Sequence, residues 1–220
     1  MKKITYICLL LCLIGCNKTV STHTTSPQIT FCADSAYRYI QQQVAFGPRV
    51  PGTQAHTECA LFLLEKLSDF GAQVVLQQGN MLNYAGENQD VFNVIGRFGE
   101  SKQNGTILLC AHYDTRPWSD EEEEYDARFT PILGANDGAS GVGVLLEIAR
   151  QIGMIYSDTT KQTYLPAIEI VFFDCEDMGT PEFYTGIQRE DTWCLGSQMW
   201  ANEVVKQQRA SLYQFGILLD

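Results

Sequence analysis

Acids and a histidine recur where apolar runs stop. In LLCAHYD the run ends on His112 and Asp114, in IVFFDCED on Glu176 and Asp177, and FGILLD ends on Asp220. Asp137 lies in PILGANDGASG, among Gly134, Gly138 and Gly141. A His-x-Asp pair suits a metal site, because the carboxylate can accept the imidazole's second N–H or coordinate directly, fixing the ring. Glycines around Asp137 let the backbone turn tightly and bring its carboxylate close to an ion. Adjacent Glu176 and Asp177 point in different directions at a strand exit, so one can bind metal while its neighbour works as acid and base. Singly these residues are ordinary: a lone histidine is more often structural, and a lone acid is a loop residue. Gathered at the apolar end of a sheet, the carboxylates repel one another and cost stability unless a cation compensates.

Whether they gather depends on the elements that carry them. Residues 34 to 46 and 53 to 70 have helical apolar spacing, with Asp34 or Ser35 and Thr53 as N-cap candidates and Gly71 as a C-cap. Between them FGPRVPGT reads as a rigid turn. Residues 73 to 78, 91 to 98, 107 to 113, 168 to 174 and 213 to 219 read as strands from their β-branched and apolar content. Helices are expected over 136 to 152 and 196 to 208. Alternating strands and helices predict an α/β three-layer sandwich with a mostly parallel central sheet. In such sheets ligands collect beyond the carboxyl ends of the strands, where the acids lie.

Composition narrows the partners. The 220 residues suffice for one full core, and 45% apolar content excludes disorder. A formal charge of −11 with only 15 Lys and Arg excludes nucleic-acid recognition, which needs a basic face. Peptides or small molecules fit better. The acidic run SDEEEEYD, 119 to 126, reads as a solvated loop, with attraction of a peptide's α-ammonium as the alternative. Trp118 and Trp193 are candidates for an apolar pocket or for packing. Arg49 and Arg116 are candidate partners for the acids.

Residues 1 to 16, MKKITYICLLLCLIGC, combine Lys2 and Lys3 with an apolar stretch shorter than the ~20 residues of a membrane span, so they read as an export signal. Leu13, Ile14, Gly15 and Cys16 resemble a bacterial lipobox, which implies lipidation at Cys16 and an exported protein anchored to a membrane of the cell envelope. A plain secretory signal is the alternative. Residues 17 to 30 read as a flexible tether, and 31 to 220 as the folded domain. Cys32, Cys59, Cys110, Cys175 and Cys194 follow neither a zinc-ribbon nor a dense disulfide pattern. Cys175 and Cys194 flank one loop, and a disulfide between them stays open, since Cα separation decides it.

Five motifs in order, AHYD, GANDGASG, FFDCED, WCLGSQ and GILLD, with FGPRVPGT upstream, resemble the zinc-dependent exopeptidase superfamily. Within it the chain is most similar to bacterial animal-type glutaminyl-peptide cyclotransferases, from about Phe46 onward. The resemblance implies zinc as cofactor, Asp137 and Asp177 as zinc ligands and Glu176 as general acid and base. His112 matches a second-metal ligand of two-zinc aminopeptidases. Asp220 matches a residue of a catalytic hydrogen-bond network in cyclases and a metal ligand in aminopeptidases. The family's further ligand, a histidine near its C-terminus, has no counterpart among His23, His56 and His112, so the chain reads as the N-terminal part of such a domain, incomplete at its C-terminus. The implied substrates are peptides or proteins with N-terminal glutamine, converted to pyroglutamate with release of ammonia. A zinc aminopeptidase is one alternative, and an inactive truncated product or noncatalytic peptide-binding module is the other.

Overall fold

The computed structural model describes residues 30–100, 105–158 and 165–220. The expected signal, Cys16 and nearly all of the tether lie outside them. Helices α1 (Ala33–Ala45) and α2 (Gln54–Asp69) lead into strands β1 (Gln73–Leu82), β2 (Asn88–Phe98) and β3 (Thr106–His112). Then come helix α3 (Ala139–Tyr156), strand β4 (Ala167–Phe173), helix α4 (Leu195–Lys206) and strand β5 (Tyr213–Leu218). Thr53 caps α2 as expected, its hydroxyl accepting from the His56 N–H at 3.2 Å. Gly71, at φ 87°, follows the end of that helix in the left-handed conformation that a side chain would disfavour. The start of α1 differs: Cys32 stands at its N-cap with no side-chain bond, and Asp34 falls inside the first turn, where a carboxylate favours the helix dipole.

The strands form one sheet in the order β1-β2-β4-β3-β5. β3 runs parallel to both β4 and β5, while β2 is antiparallel to β1 and to β4. The sheet is therefore mixed, and its parallel half is the half that carries the site. The reason lies in the connections. β1 and β2 are joined by a tight turn in which the Asn83 side chain accepts from the N–H groups of Ala85 and Glu87, both at 3.0 Å, and a turn of that length can only reverse the chain. The same pairing carries both strands further than their apolar content suggests, from Gln73↔Arg97 to Leu82↔Asn88.

Alternate residues of the central strands face opposite layers. Ile170 and Phe172 join Val94, Phe98 and Ala111 beneath α2 and α3, against Leu63, Leu67, Leu145 and Leu146. Val171 and Phe173 join Ile95 and Cys110 on the other face, where Trp200 of α4 covers them. Each large side chain buried this way contributes ~1.5–3 kcal/mol of transfer free energy, which fixes the register of β4 and so the point where its chain leaves the sheet. Beside β3, the edge strand β5 keeps Phe215, Ile217 and Leu218 exposed. Among the described residues no helix is long and apolar enough to cross a membrane.

Candidate metal centre

Because β3, β4 and β5 are parallel, their carboxyl ends share one edge, and the acids arrive there together. His112 ends β3 with its side chain 3% exposed. Its Nε2 lies 2.8 Å from Asp137 Oδ1 and 3.6 Å from Asp220 Oδ1, and ligand atoms of the three residues fall within 4.8 Å of one another. Two glycines allow this approach. Gly138, at φ 89°, starts α3 directly after Asp137, and a Cβ there would sit 2.9 Å from the Asp114 carbonyl oxygen. At Gly141 a Cβ would lie 2.3 Å from the Leu219 carbonyl oxygen, so only glycine lets the start of α3 close on the exit of β5.

The fully buried Asp114 sets the other two acids. Its Oδ1 accepts from the Glu176 N–H at 3.1 Å and its Oδ2 from the Asp177 N–H at 3.2 Å, tying the exit of β4 to that of β3. His112 Nδ1 stands 3.4 Å from Asp114 Oδ1. Glu176 and Asp177 then diverge. The Glu176 carboxylate accepts from the Cys194 thiol at 3.2 Å, whereas Asp177 turns toward Arg116, 3.6 Å away. Asp177 also lines an open groove together with Asp137, Trp193 and Glu182.

Electrostatics at this edge are unbalanced. Burial, with the charges of Asp114 and Asp137, pushes the Asp177 carboxyl up to about 7. Burial also raises Glu176, against the lowering effect of the Cys194 hydrogen bond. His112 is buried, which disfavours its charge, yet Asp114 and Asp137 outweigh burial and raise it to about 11. The adjacent His112 ring holds Asp137 below the ordinary carboxylate range. The nearby cations make their closest contacts elsewhere, Arg116 standing 3.6 Å from the Asp177 carboxylate. Arg116 makes a bidentate pair with Asp120, at 2.7 and 2.6 Å, between the rings of Trp118 and Trp193. Arg49, fully buried, gives its donors to the carbonyls of Tyr113, Leu133 and Gly134, bracing the loop before Asp137 rather than pairing with the acids.

A cation fits the donor set. Although the carboxylates of Asp137 and Asp220 face His112 Nε2, at 2.8 and 3.6 Å, neither makes a hydrogen bond with it, and both ring nitrogens are buried without a hydrogen-bond partner. A buried imidazole nitrogen beside carboxylate oxygens, at an edge with surplus negative charge, is the combination of donors that zinc takes. Sequence reasoning paired Asp137 with Asp177 through the family resemblance; the structure adds the grouping of Asp137 with His112 and Asp220.

Other residues of the site are structural. Asp174, one residue after β4, is buried and accepts from His56 Nε2 at 2.7 Å, Phe92 N–H at 2.7 Å and Cys175 N–H at 2.8 Å, which locks the strand exit. Nothing in the spacing of His56 and Asp174 marks them as partners. Cys175 and Cys194 are free thiols, Cys175 Sγ facing the Asp90 carbonyl at 3.6 Å. Within the acidic run, Glu121 to Glu124 are exposed, while Asp120 is buried against Arg116.

An α/β sandwich that collects a histidine and carboxylates at the carboxyl edge of its parallel strands, with a buried acid beside them, defines a metallopeptidase-type domain. The chain belongs to peptidase family M28, whose model matches residues 93–220. It is similar to the solved Bacteroides thetaiotaomicron glutaminyl cyclase bound to N-acetylhistamine, at 46% identity and TM-score 0.77, over 87% of this chain and 62% of that one. A leucine aminopeptidase precursor from Bacteroides thetaiotaomicron matches with the same identity, coverage and TM-score. A Zn-dependent exopeptidase from Parabacteroides distasonis matches at 45% identity and TM-score 0.74, over 86% of this chain and 61% of that one. The chain thus spans about 62% of the length of the first of these structures. The family and these relatives imply zinc as the metal of the site.

Proposed function

We propose that the protein is a glutaminyl-peptide cyclotransferase, converting N-terminal glutamine to pyroglutamate with release of ammonia. The observation that carries this reading is Glu176, a carboxyl raised by burial whose backbone N–H is held by Asp114 at the sheet edge where His112, Asp137 and Asp220 gather. Such a group can both take and return a proton. Similarity to a solved glutaminyl cyclase supports the choice of reaction.

Asp137 is common to both ligand sets: with His112 and Asp220, which the fold gathers, and with Asp177, which the family resemblance pairs with it. Zinc held there supplies a Lewis acid for the γ-amide carbonyl of the glutamine. The peptide's own α-amine is the nucleophile, so attack occurs within one molecule. Glu176 takes the proton from that amine and delivers it to the departing amide nitrogen, which leaves as ammonia. Asp114 keeps Glu176 in place through its backbone N–H. The groove lined by Asp137, Asp177 and Trp193 offers negative charge and an apolar wall to the peptide's N-terminal end.

A zinc aminopeptidase is the second reading. It is favoured by the His112, Asp137 and Asp220 grouping, which offers an ion three ligands from this chain, and by the leucine aminopeptidase precursor matching as well as the cyclase does. In that case Glu176 takes its proton from water. Incubation of the zinc-loaded protein with Gln-initiated and Leu-initiated peptides separates the two. Ammonia from the former without free leucine from the latter is expected, and leucine without ammonia would sink the cyclase reading.

A further inference from the structure

A proton shuttle works only if its carboxylate points in one direction, and the backbone bond from Asp114 fixes the Glu176 main chain without fixing its side chain. A second segment does the rest. Cys194, Leu195 and Gly196 lie alongside the exit of β4, their N–H groups bonding the carbonyls of Glu176 at 2.9 Å, Cys175 at 3.0 Å and Asp174 at 2.9 Å. The approach is so close that a Cβ on Gly196 would lie 2.3 Å from the Asp174 carbonyl oxygen. These three bonds hold residue 194 opposite residue 176. Cys194 is left-handed, at φ 55° and ψ 37°, a conformation costing ~1 kcal/mol or more outside glycine. In that conformation its Sγ lies 3.2 Å from Glu176 Oε1.

The chemistry of the pair runs one way. Burial and the neighbouring Glu176 push the Cys194 thiol up to about 12, so near neutral pH it keeps its proton and can only donate to the carboxylate. Cys175 does not compete, since its own sulfur faces Asp90. A donor on Oε1 restrains rotation of the carboxylate.

We propose that Cys194 is a positioning residue for Glu176, its thiol acting as a fixed donor that orients the catalytic carboxylate. The inference rests on Glu176 being the acid and base, a role shared by cyclisation and peptide hydrolysis. It is carried by the three-bond register and the thiol contact together.

The test has a kinetic arm and a spectroscopic arm. On whichever peptide the zinc-loaded wild-type protein turns over, Cys194→Ala is expected to lower kcat about tenfold with KM within about twofold, while Cys194→Ser, which keeps a donor, retains kcat within about threefold. Melting temperatures of the two variants should agree with wild type within a few degrees. Equal kcat for wild type, Ala and Ser would overturn the proposal, as would equal losses in both variants. The infrared S–H stretch of Cys194, isolated as the difference between wild type and Cys194→Ser, needs no turnover. It is expected at the lowered frequency of a hydrogen-bonded thiol and to rise in Glu176→Gln. A band unchanged by Glu176→Gln overturns the proposal even if the protein turns over neither peptide, a result that would itself count against the assigned reaction only.

Discussion

Strand β4 carries a buried acid near its start and leads to a pair of half-buried acids beyond its end, and the two ends are treated in opposite ways. Glu169, 1% exposed, accepts from Arg97, from Arg209 at 2.8 Å, from the Tyr213 hydroxyl at 2.8 Å and from the Trp200 indole N–H at 3.1 Å. Burial opposes its charge, yet these partners hold it below the ordinary carboxylate range. Beyond the other end, Glu176 and Asp177 share an edge with Asp114, Asp137 and Asp220, and their pKa values are raised. Of the nearby arginines, Arg116 is bonded to Asp120 and reaches the Asp177 carboxylate only at 3.6 Å, and Arg49 gives its donors to backbone carbonyls. A structural acid is supplied with protein cations; the acids of the site are left in deficit, which is the condition under which a metal ion adds most.

The comparison breaks most sharply at Glu176. Glu176→Gln should lower kcat by about 10²–10⁴ with little change in thermal stability, because it removes a proton carrier and a repelling charge together. Loss of fold in that variant, measured by circular dichroism, would place Glu176 with Glu169 as a structural acid. Glu169→Gln should do the reverse. It leaves two arginines facing a neutral amide and is expected to cost about 3 kcal/mol in denaturant unfolding, with kcat per folded molecule unchanged.

A smaller effect sharpens the contrast through pH. In the metal-free protein Asp177 titrates at about 7, above its ordinary value near ~3.9, so its contribution to stability is fully present below that ordinary value and is lost as pH rises through about 7. Glu176 acts in the same direction. His112, raised to about 11, adds stability that is fully present below ~6.5 and is lost only toward 11, so it does not reverse the trend. Melting temperature of chelator-treated protein should therefore fall between about pH 4 and 7. Asp177→Asn should flatten that fall, and saturating zinc should remove most of it. A melting temperature that rises over the same interval would show that these acids are compensated in the metal-free state.

How much was legible follows the range of the forces involved. Strand exits could be read locally, because an apolar run that stops at a polar residue marks the point where burial ends, and His112, Asp137, Glu176, Asp177 and Asp220 all stand at such points or at a helix start. The three-layer arrangement followed from alternating strands and helices. The antiparallel half did not, since strand direction depends on the Asn83 turn rather than on the composition of β1 or β2. Arg49 was a candidate partner for the acids, but only the packed loop shows three carbonyls converging on its guanidinium. The His-x-Asp spacing makes Asp114 a partner of His112, but its hydrogen bonds are to the N–H groups of Glu176 and Asp177, some sixty residues later.

By itself the sequence determined which chemical groups this protein has and at which strand ends they emerge, because hydrophobic periodicity and glycine placement are local. Tertiary structure alone decided which of them meet. The parallel pairing of β3 with β4 and β5 brought Asp220 to His112 and Asp137, and the register of 194–196 on 174–176 brought a thiol to Glu176. Hydrogen bonds of angstrom reach between distant residues exist only once the sheet has set their register.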